Sequence, residues 1–265
     1  NDIDFYEYIY MEVDSSYRGG IDLNGHILNF EKRYSYYSYG IGLRNESGAG
    51  GGLFEITDSN PSVVHEGYVN SENEPLTGGI ITGFRYNMNS SAGGSTSCLS
   101  INNLNCVLEG VTFFDNTTGG GGSCIDKFGE NGTLEINKCK FYDNKSNYWA
   151  SCVWVGTSRS DSRNDQCLIT DSVFKGNYGK YTSTVATSSE NCVIKNCLFE
   201  NNECDSGGTV NVSHYGTLEV VDTDITGNIC TSDEEDDSTT AGICIDVCGN
   251  LVLNGKVNIT GNTYN

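Results

Sequence analysis

From residue 106 onward, apolar and polar positions alternate in short runs that come back in a fixed order. The phrases are CVLEGVTFFDN, TLEINKCKFYDN, CLITDSVFKGN, CVIKNCLFENN, TLEVVDTDITGN and NLVLNGKVNITGN. Each closes with an aromatic residue or Ile, two variable residues and Asn: Phe113 with Asn116, Phe141 with Asn144, Phe174 with Asn177, Phe199 with Asn202, Ile225 with Asn228, Ile259 with Asn262. Successive closing Asn residues lie 28, 33, 25, 26 and 34 apart. Five residues before the Phe or Ile stands a second apolar position: Leu108, Ile136, Ile169, Ile194, Val220. Two residues earlier stands a third: Cys106, Leu134, Cys167, Cys192, Leu218. A step of two is strand periodicity. The last copy carries one extra residue, so Leu253 falls a position early.

A further apolar run precedes each phrase, starting at Cys98, Cys124, Cys152, Thr184, Thr209 and Cys244. The pattern therefore predicts two or three short strands in every turn of about 25 residues, with length variation confined to Gly, Ser and Asp stretches. That is an all-β chain wound as a right-handed parallel β-helix, a solenoid forming one continuous domain. Residues 98–265 read as its regular coils and residues 1–97 as an N-terminal cap with irregular first coils. Helical repeats do not fit a two-residue step, and a propeller blade needs roughly 40 residues with hairpin turns. The recurring Asn is expected to stack at a corner, bonding to the backbone of the adjacent turn in left-handed geometry.

Composition supports short strands and many turns: 33 Gly, 2 Pro and 16 Tyr in 265 residues. A formal charge of −20 repels phosphate backbones and anionic membranes, so nucleic acid is excluded as a partner. No apolar run approaches the roughly 20 residues of a membrane-spanning helix. Asn1 opens directly in polar sequence, which fits a mature or trimmed chain.

Twelve Cys, an even count, fit an oxidising location. Three pairs recur at equal repeat positions: Cys167 with Cys192, Cys124 with Cys152, and Cys204 with Cys230. Stacked positions about 4.8 Å apart suit a disulfide, and buried apolar thiols suit the same positions. The corner placing of Cys204 and Cys230 favours the disulfide. Zinc does not fit, because no CxxC occurs.

Seven Asn-x-Ser/Thr sequons occur, and a composition this rich in Asn, Ser and Thr yields roughly five by chance. Asn89 and Asn131, in polar stretches, are the best glycan acceptors. The acidic run from Asp233 to Asp237 reads as a solvated loop, with Asp233, Glu235 and Asp237 as weak calcium candidates; its spacing is not that of an EF-hand. No other cofactor is expected. A row of rings, Tyr142, Tyr148, Trp149, Trp154, Tyr178 and Tyr181, falls in consecutive coils and suits sugar or protein contacts, or else Trp149 and Trp154 cover an insertion. The stretch Tyr34 to Tyr39 carries four Tyr and poses the same choice. The three His, at 26, 65 and 214, belong to separate segments, and no catalytic pair of carboxylates stands out.

Gly207-Gly208-Thr209-Val210, the four Phe-x-x-Asn units and the closing Val257-Asn258-Ile259-Thr260-Gly261-Asn262 resemble the GGxI and FxxN repeats of right-handed β-helix surface proteins. These include polymorphic outer-membrane protein passengers and adhesin-like proteins. The stretch from Ile21 to Ile27 looks like the opening coil of the broader pectin-lyase-like superfamily. The resemblance is strong over residues 98–265 and weak over 20–97. It implies a secreted or cell-surface, non-catalytic adhesin or structural protein. Partners would be a surface protein or glycan of a host or neighbouring cell, or copies of the chain itself. The superfamily also holds polysaccharide lyases and glycosidases, which makes a carbohydrate-active enzyme the alternative.

Overall fold

The computed structural model describes residues 2–5, 7–31, 39–48, 50–86, 96–119, 124–129, 131–156, 164–231, 240–246 and 248–264. All regular structure among them is β-strand, arranged in four parallel sheets of nine, eight, eight and six strands plus one two-stranded antiparallel hairpin. The chain visits the sheets in rotation. The fourth coil, for example, runs through Ile125–Phe128 in the first sheet, Asn131–Asn137 in the second, Lys140–Tyr142 in the third and Lys145–Ser146 in the fourth. Each strand pairs with its counterparts in the coils before and after, as Phe141 does with Phe113 and Phe174. The described residues pass through eight such coils, the arrangement of a β-solenoid.

Six coils begin at Ser97–Asn102, in agreement with the repeat, and two precede them. The earlier coils run through Ile9–Val13, Arg18–Asp22 and Ile27–Asn29, then Tyr39–Asn45, Leu53–Thr57 and Ile80–Thr82. From the third coil on there are four strands per turn, more than the pattern predicts. The fourth is only two residues long in every coil, Thr117–Thr118 being the first, too short to leave a periodic signal. The register of the last coil also differs from the sequence reading. Ile243 pairs with Val210 and Cys244 with Asn211, so Cys244 does not continue the column of Thr209. Leu253 pairs in register with Val220, and the extra residue falls between the paired positions Leu253 and Asn258.

Short strands turn sharply where one residue adopts a left-handed conformation. Just before each ladder Asn this residue is Asp115, Asp143, Gly176, Asn201, Gly227 or Gly261, with φ between 48° and 67°. Gly, Asn and Asp tolerate that region best. The left-handed residue is thus the one preceding the Asn, where the sequence reading expected the Asn itself. The reason is that the ladder Asn must point its side chain along the stack.

Inside, columns of like residues run along the stack. Phe113, Phe141, Phe174 and Phe199 are fully buried and stack with ring centroids 5.1, 4.6 and 4.5 Å apart. Such ring pairs contribute about 0.5–1.5 kcal/mol each beyond area burial. Beside them, Leu108, Ile136, Ile169, Ile194 and Val220 form a second column without exposed surface. The core narrows out at the last coil, where Ile245, Val252, Leu253, Ile259 and Tyr264 are 42–52% exposed. A recess of about 620 Å³ opens there, lined in part by Ile243, Leu251, Ile259 and Tyr264.

Candidate functional site

The ladder Asn residues come together as one hydrogen-bonded column. Asn144 is typical: its backbone N–H and its Nδ2 both donate to Asn177 Oδ1, at 3.0 and 3.1 Å. Its Nδ2 also donates back to Phe113 O at 3.0 Å. The unit repeats from Asn116 through Asn177, Asn202 and Asn228 to Asn262. Asn116, Asn144, Asn177, Asn202 and Asn228 are at most 1% exposed. Every amide is consumed in holding coils together, so this column is scaffold.

The predicted aromatic row separates into parts. Tyr148, Trp149 and Tyr181 converge where two successive coils pass from the fourth sheet back to the first. Tyr181 N–H donates to Tyr148 O at 3.0 Å and Thr182 N–H to Trp149 O at 3.2 Å, which fixes the two turns against each other. The rings meet edge to face or tilted, with centroids 5.4–5.6 Å apart. Trp149 is 36% exposed and the two tyrosines are half-buried. Lys180 Nζ lies 5.6 Å from the Tyr181 ring centroid.

Tyr178 belongs to the flank of this cluster. Lys145 Nζ lies 4.8 Å from its ring centroid, and its hydroxyl donates to the Asp205 carboxylate, 2.9 Å from both oxygens. Burial, then the Asp205 contact, raises its pKa above the ordinary tyrosine range. Trp154 is not brought in. It sits in the first sheet between Asp126 and Ala186, its ring lying over Gly156, where a Cβ would meet it at 2.2 Å.

A second polar cluster has no counterpart in the sequence reading. The antiparallel hairpin, Val64–Val69 and Pro75–Thr77, leaves the second coil and packs on the outer face of the third sheet. Its tip brings Glu72 to 2.5 Å and Glu74 to 3.6 Å from Lys175 Nζ, and Glu200 closes the third side at 3.1 Å. Glu72 also accepts from Asn201 Nδ2 at 2.8 Å, and Asp143 accepts from Ser71 N–H at 2.8 Å. The contact with Glu72 is the chief cause of a Lys175 pKa well above the usual lysine value. The same contact lowers that of Glu72. Burial raises Asp143. No local signal in the sequence marks this cluster, because its members come from coils two, four, five and six.

Eleven of the twelve cysteines are buried, and Cys248 is exposed. Cys167 is opposite Cys192 and Cys204 opposite Cys230, each pair with thiols in mutual contact. Cys124 and Cys152 begin adjacent rungs of the first sheet, and the Cys152 thiol contacts Ser151 Oγ at 3.3 Å. Asn131 is half-buried, its amide donating to Gly48 O at 2.9 Å. Asn89, Asp233, Glu235, Asp237 and Tyr34 to Tyr37 lie outside the described residues. Among the described residues no group of three or more His, Cys, Asp or Glu is placed to hold a metal, and no helix is long and apolar enough to cross a membrane. His65 bonds Gly78 O at 2.8 Å and His26 lies 3.6 Å from Asp2, far apart along the fold from His214.

Compared with known proteins, the chain matches no family model, no curated protein and no solved structure.

Proposed function

We propose that the chain is a right-handed parallel β-helix displayed outside the cell as a non-catalytic adhesin or structural protein, holding its partner through Tyr148, Trp149 and Tyr181. The observation that carries this is the convergence of three rings at a solvent-facing edge of an otherwise rigid stack, 5.4–5.6 Å apart. Rings held at fixed angles offer flat apolar faces to a sugar ring or a side chain with little entropy left to lose. Right-handed winding is supported by the strong bias of parallel crossovers toward that hand. An acidic, Cys-rich, repeat-built chain suits an extracellular location. The partner class includes a second copy of the chain.

The enzyme alternative is weaker on one specific point. Lys175, the lysine that three carboxylates surround, is engaged by Glu72, Glu74 and Glu200, which commits its ammonium group to ion pairs and not to taking a proton from a substrate.

A glycan and protein array probed with the purified chain, beside Trp149→Ala and Tyr181→Ala, tests the reading. Selective binding that drops at least about tenfold in Trp149→Ala, with an unchanged melting temperature, is expected. Binding indifferent to both substitutions would overturn it.

A further inference from the structure

Cys204 and Cys230 lie one above the other in the fourth sheet. Their strands, Glu203–Cys204 and Ile229–Cys230, pair in parallel with the two cysteines as direct partners. Directly paired residues on adjacent strands are about 4.8 Å apart, within the roughly 4.4–6.8 Å Cα separation that a disulfide accepts. Both side chains are fully buried, and with Ala241 they form a small cluster separate from the main core. Cys167 and Cys192 share the same register but sit in strands of 7 and 5 residues inside the main core. A disulfide donor must reach a sulfur, and a strand of two residues opens locally at lower cost than one of five or seven.

We propose that Cys204 and Cys230 are an oxidation site, closing to a disulfide that staples the sixth coil to the seventh ahead of every other cysteine pair. The oxidant is a small-molecule disulfide such as oxidised glutathione. On local opening, one cysteine thiolate attacks it, forming a mixed disulfide and releasing one glutathione thiolate. The second cysteine thiolate then attacks the protein-side sulfur and releases the other glutathione. One intramolecular S–S bond replaces the S–S bond of the donor, and the two thiol protons end on two reduced glutathiones. In the closed fold the mutual thiol contact and burial hold the Cys204 thiol well above its ordinary pKa. The site therefore reacts through opening and not by direct collision.

The staple would sit one coil below the aromatic cluster. Cys204 pairs with Gly179, and the backbone N–H groups of Asp205 and Ser206 donate to Lys180 O at 3.1 and 3.0 Å. Its existence does not depend on what that cluster binds, since the thiol state is read by mass alone.

The test uses the whole chain, held in glutathione buffers from reduced to oxidised, quenched with acid, alkylated in denaturant and digested without reduction. No Lys or Arg lies between the two cysteines, so the digest uses a protease that cuts between them at another residue, such as Glu219 or Tyr215. The expected result is a linked pair of peptides joining Cys204 to Cys230, forming at least about tenfold faster than any Cys167 to Cys192 link. It should persist in Cys167→Ser. Alkylation of both Cys204 and Cys230 at the oxidised extreme would overturn the proposal. So would a link from Cys204 to Cys244, or earlier closure of Cys167 with Cys192.

Discussion

Glu72, at the tip of a hairpin that leaves the second coil, holds Lys175 of the fifth coil at 2.5 Å. The reach follows from dimensions. Six residues of strand at about 3.3 Å each span roughly 20 Å, or about four stacking steps of 4.8 Å. Contacts mark each step: Tyr68 on Phe114 with ring centroids 6.4 Å apart, Ser71 on Asp143, Glu72 on Lys175, and Glu72 again on Asn201. The hairpin is a strap laid along the stack, and at its base Leu76 packs with Ile27 and Ile80 of the third sheet.

Lys175→Ala should loosen the strap without unwinding the coils. The three carboxylates are 34–56% exposed at their side chains, so solvent screens most of the ion-pair energy. The expected loss is about 1 kcal/mol of global stability. Hydrogen exchange should show the larger effect, with faster exchange of amides 64–77 and unchanged protection at Phe141 and Phe174. Equal exchange in variant and wild type would show that apolar packing alone holds the strap.

The latch has a defined pH window. Glu72 has a lowered pKa in the fold, chiefly through Lys175, so its contribution is complete above the unfolded value of about 4.3 and is lost as pH falls through the folded value. Lys175 has a raised pKa, so its contribution is complete below about 10.4 and is lost as pH rises through the folded value. Asp143 works oppositely on the acid side: burial raises its pKa, and the cost of its charge fades as pH falls through that raised value. Protection of the hairpin amides should therefore hold from neutrality down to about pH 4 and collapse below it. Loss of protection already at pH 6 would contradict this assignment.

Asn177→Ala tests the ladder where it is deepest. Asn177 Oδ1 accepts from Asn144 N–H and Nδ2, and its own Nδ2 donates to Phe141 O and Asn202 Oδ1, at 2.9 Å each. Removing the side chain strands two buried donors and weakens two acceptors, for about 3–5 kcal/mol in chemical denaturation. Asn262→Ala in the last coil, where water replaces lost partners, should cost about 1 kcal/mol. Equal costs at the two positions would mean that the column is not what binds coil to coil.

The same ladder explains what was legible in the sequence. Asn with Phe or Ile three residues before it is a strict steric and hydrogen-bonding requirement, so it recurs visibly in six coils. The first two coils escaped because that corner is filled by other chemistry. Phe84 takes the Asn place in the second coil, its N–H donating to Asn116 Oδ1 at 3.1 Å, and Phe30 fills the corner in the first, 6.5 Å from Phe84. The fold survives the change of residue, but a search for Asn does not. The convergence of Tyr148, Trp149 and Tyr181 was partly legible, since stacking places equivalent turns together. Trp154 lies elsewhere because it belongs to the apolar run that starts at Cys152, the first-sheet strand Val153–Gly156, where Val153 and Val155 are the buried neighbours. The Lys175 cluster was illegible, because a hairpin from another coil supplies half of it.

Lys127 is the oddest member of the core, and a double-mutant cycle shows what it does there. It points inward from the first sheet at 1% exposure, donates to Asn131 O at 3.1 Å, and feels Asp165, also 1% exposed, as the strongest nearby charge. Burial outweighs that attraction, so Lys127→Met, of similar length and without the charge, should cost less than about 1 kcal/mol, while Asp165→Asn, which takes away a compensating charge, should cost about 3 kcal/mol. The double variant should cost less than the sum, with a coupling of roughly 2 kcal/mol. Burial is the main reason that the Lys127 pKa is depressed. Its charge therefore costs stability below the folded value, and this cost is relieved as pH rises through that value toward about 10.4. Wild type should gain on Lys127→Met over that interval, while Lys175 keeps its full contribution throughout. Strict additivity of the two substitutions, or a stability difference flat in pH, would mean that Lys127 is held by backbone carbonyls and apolar contact alone.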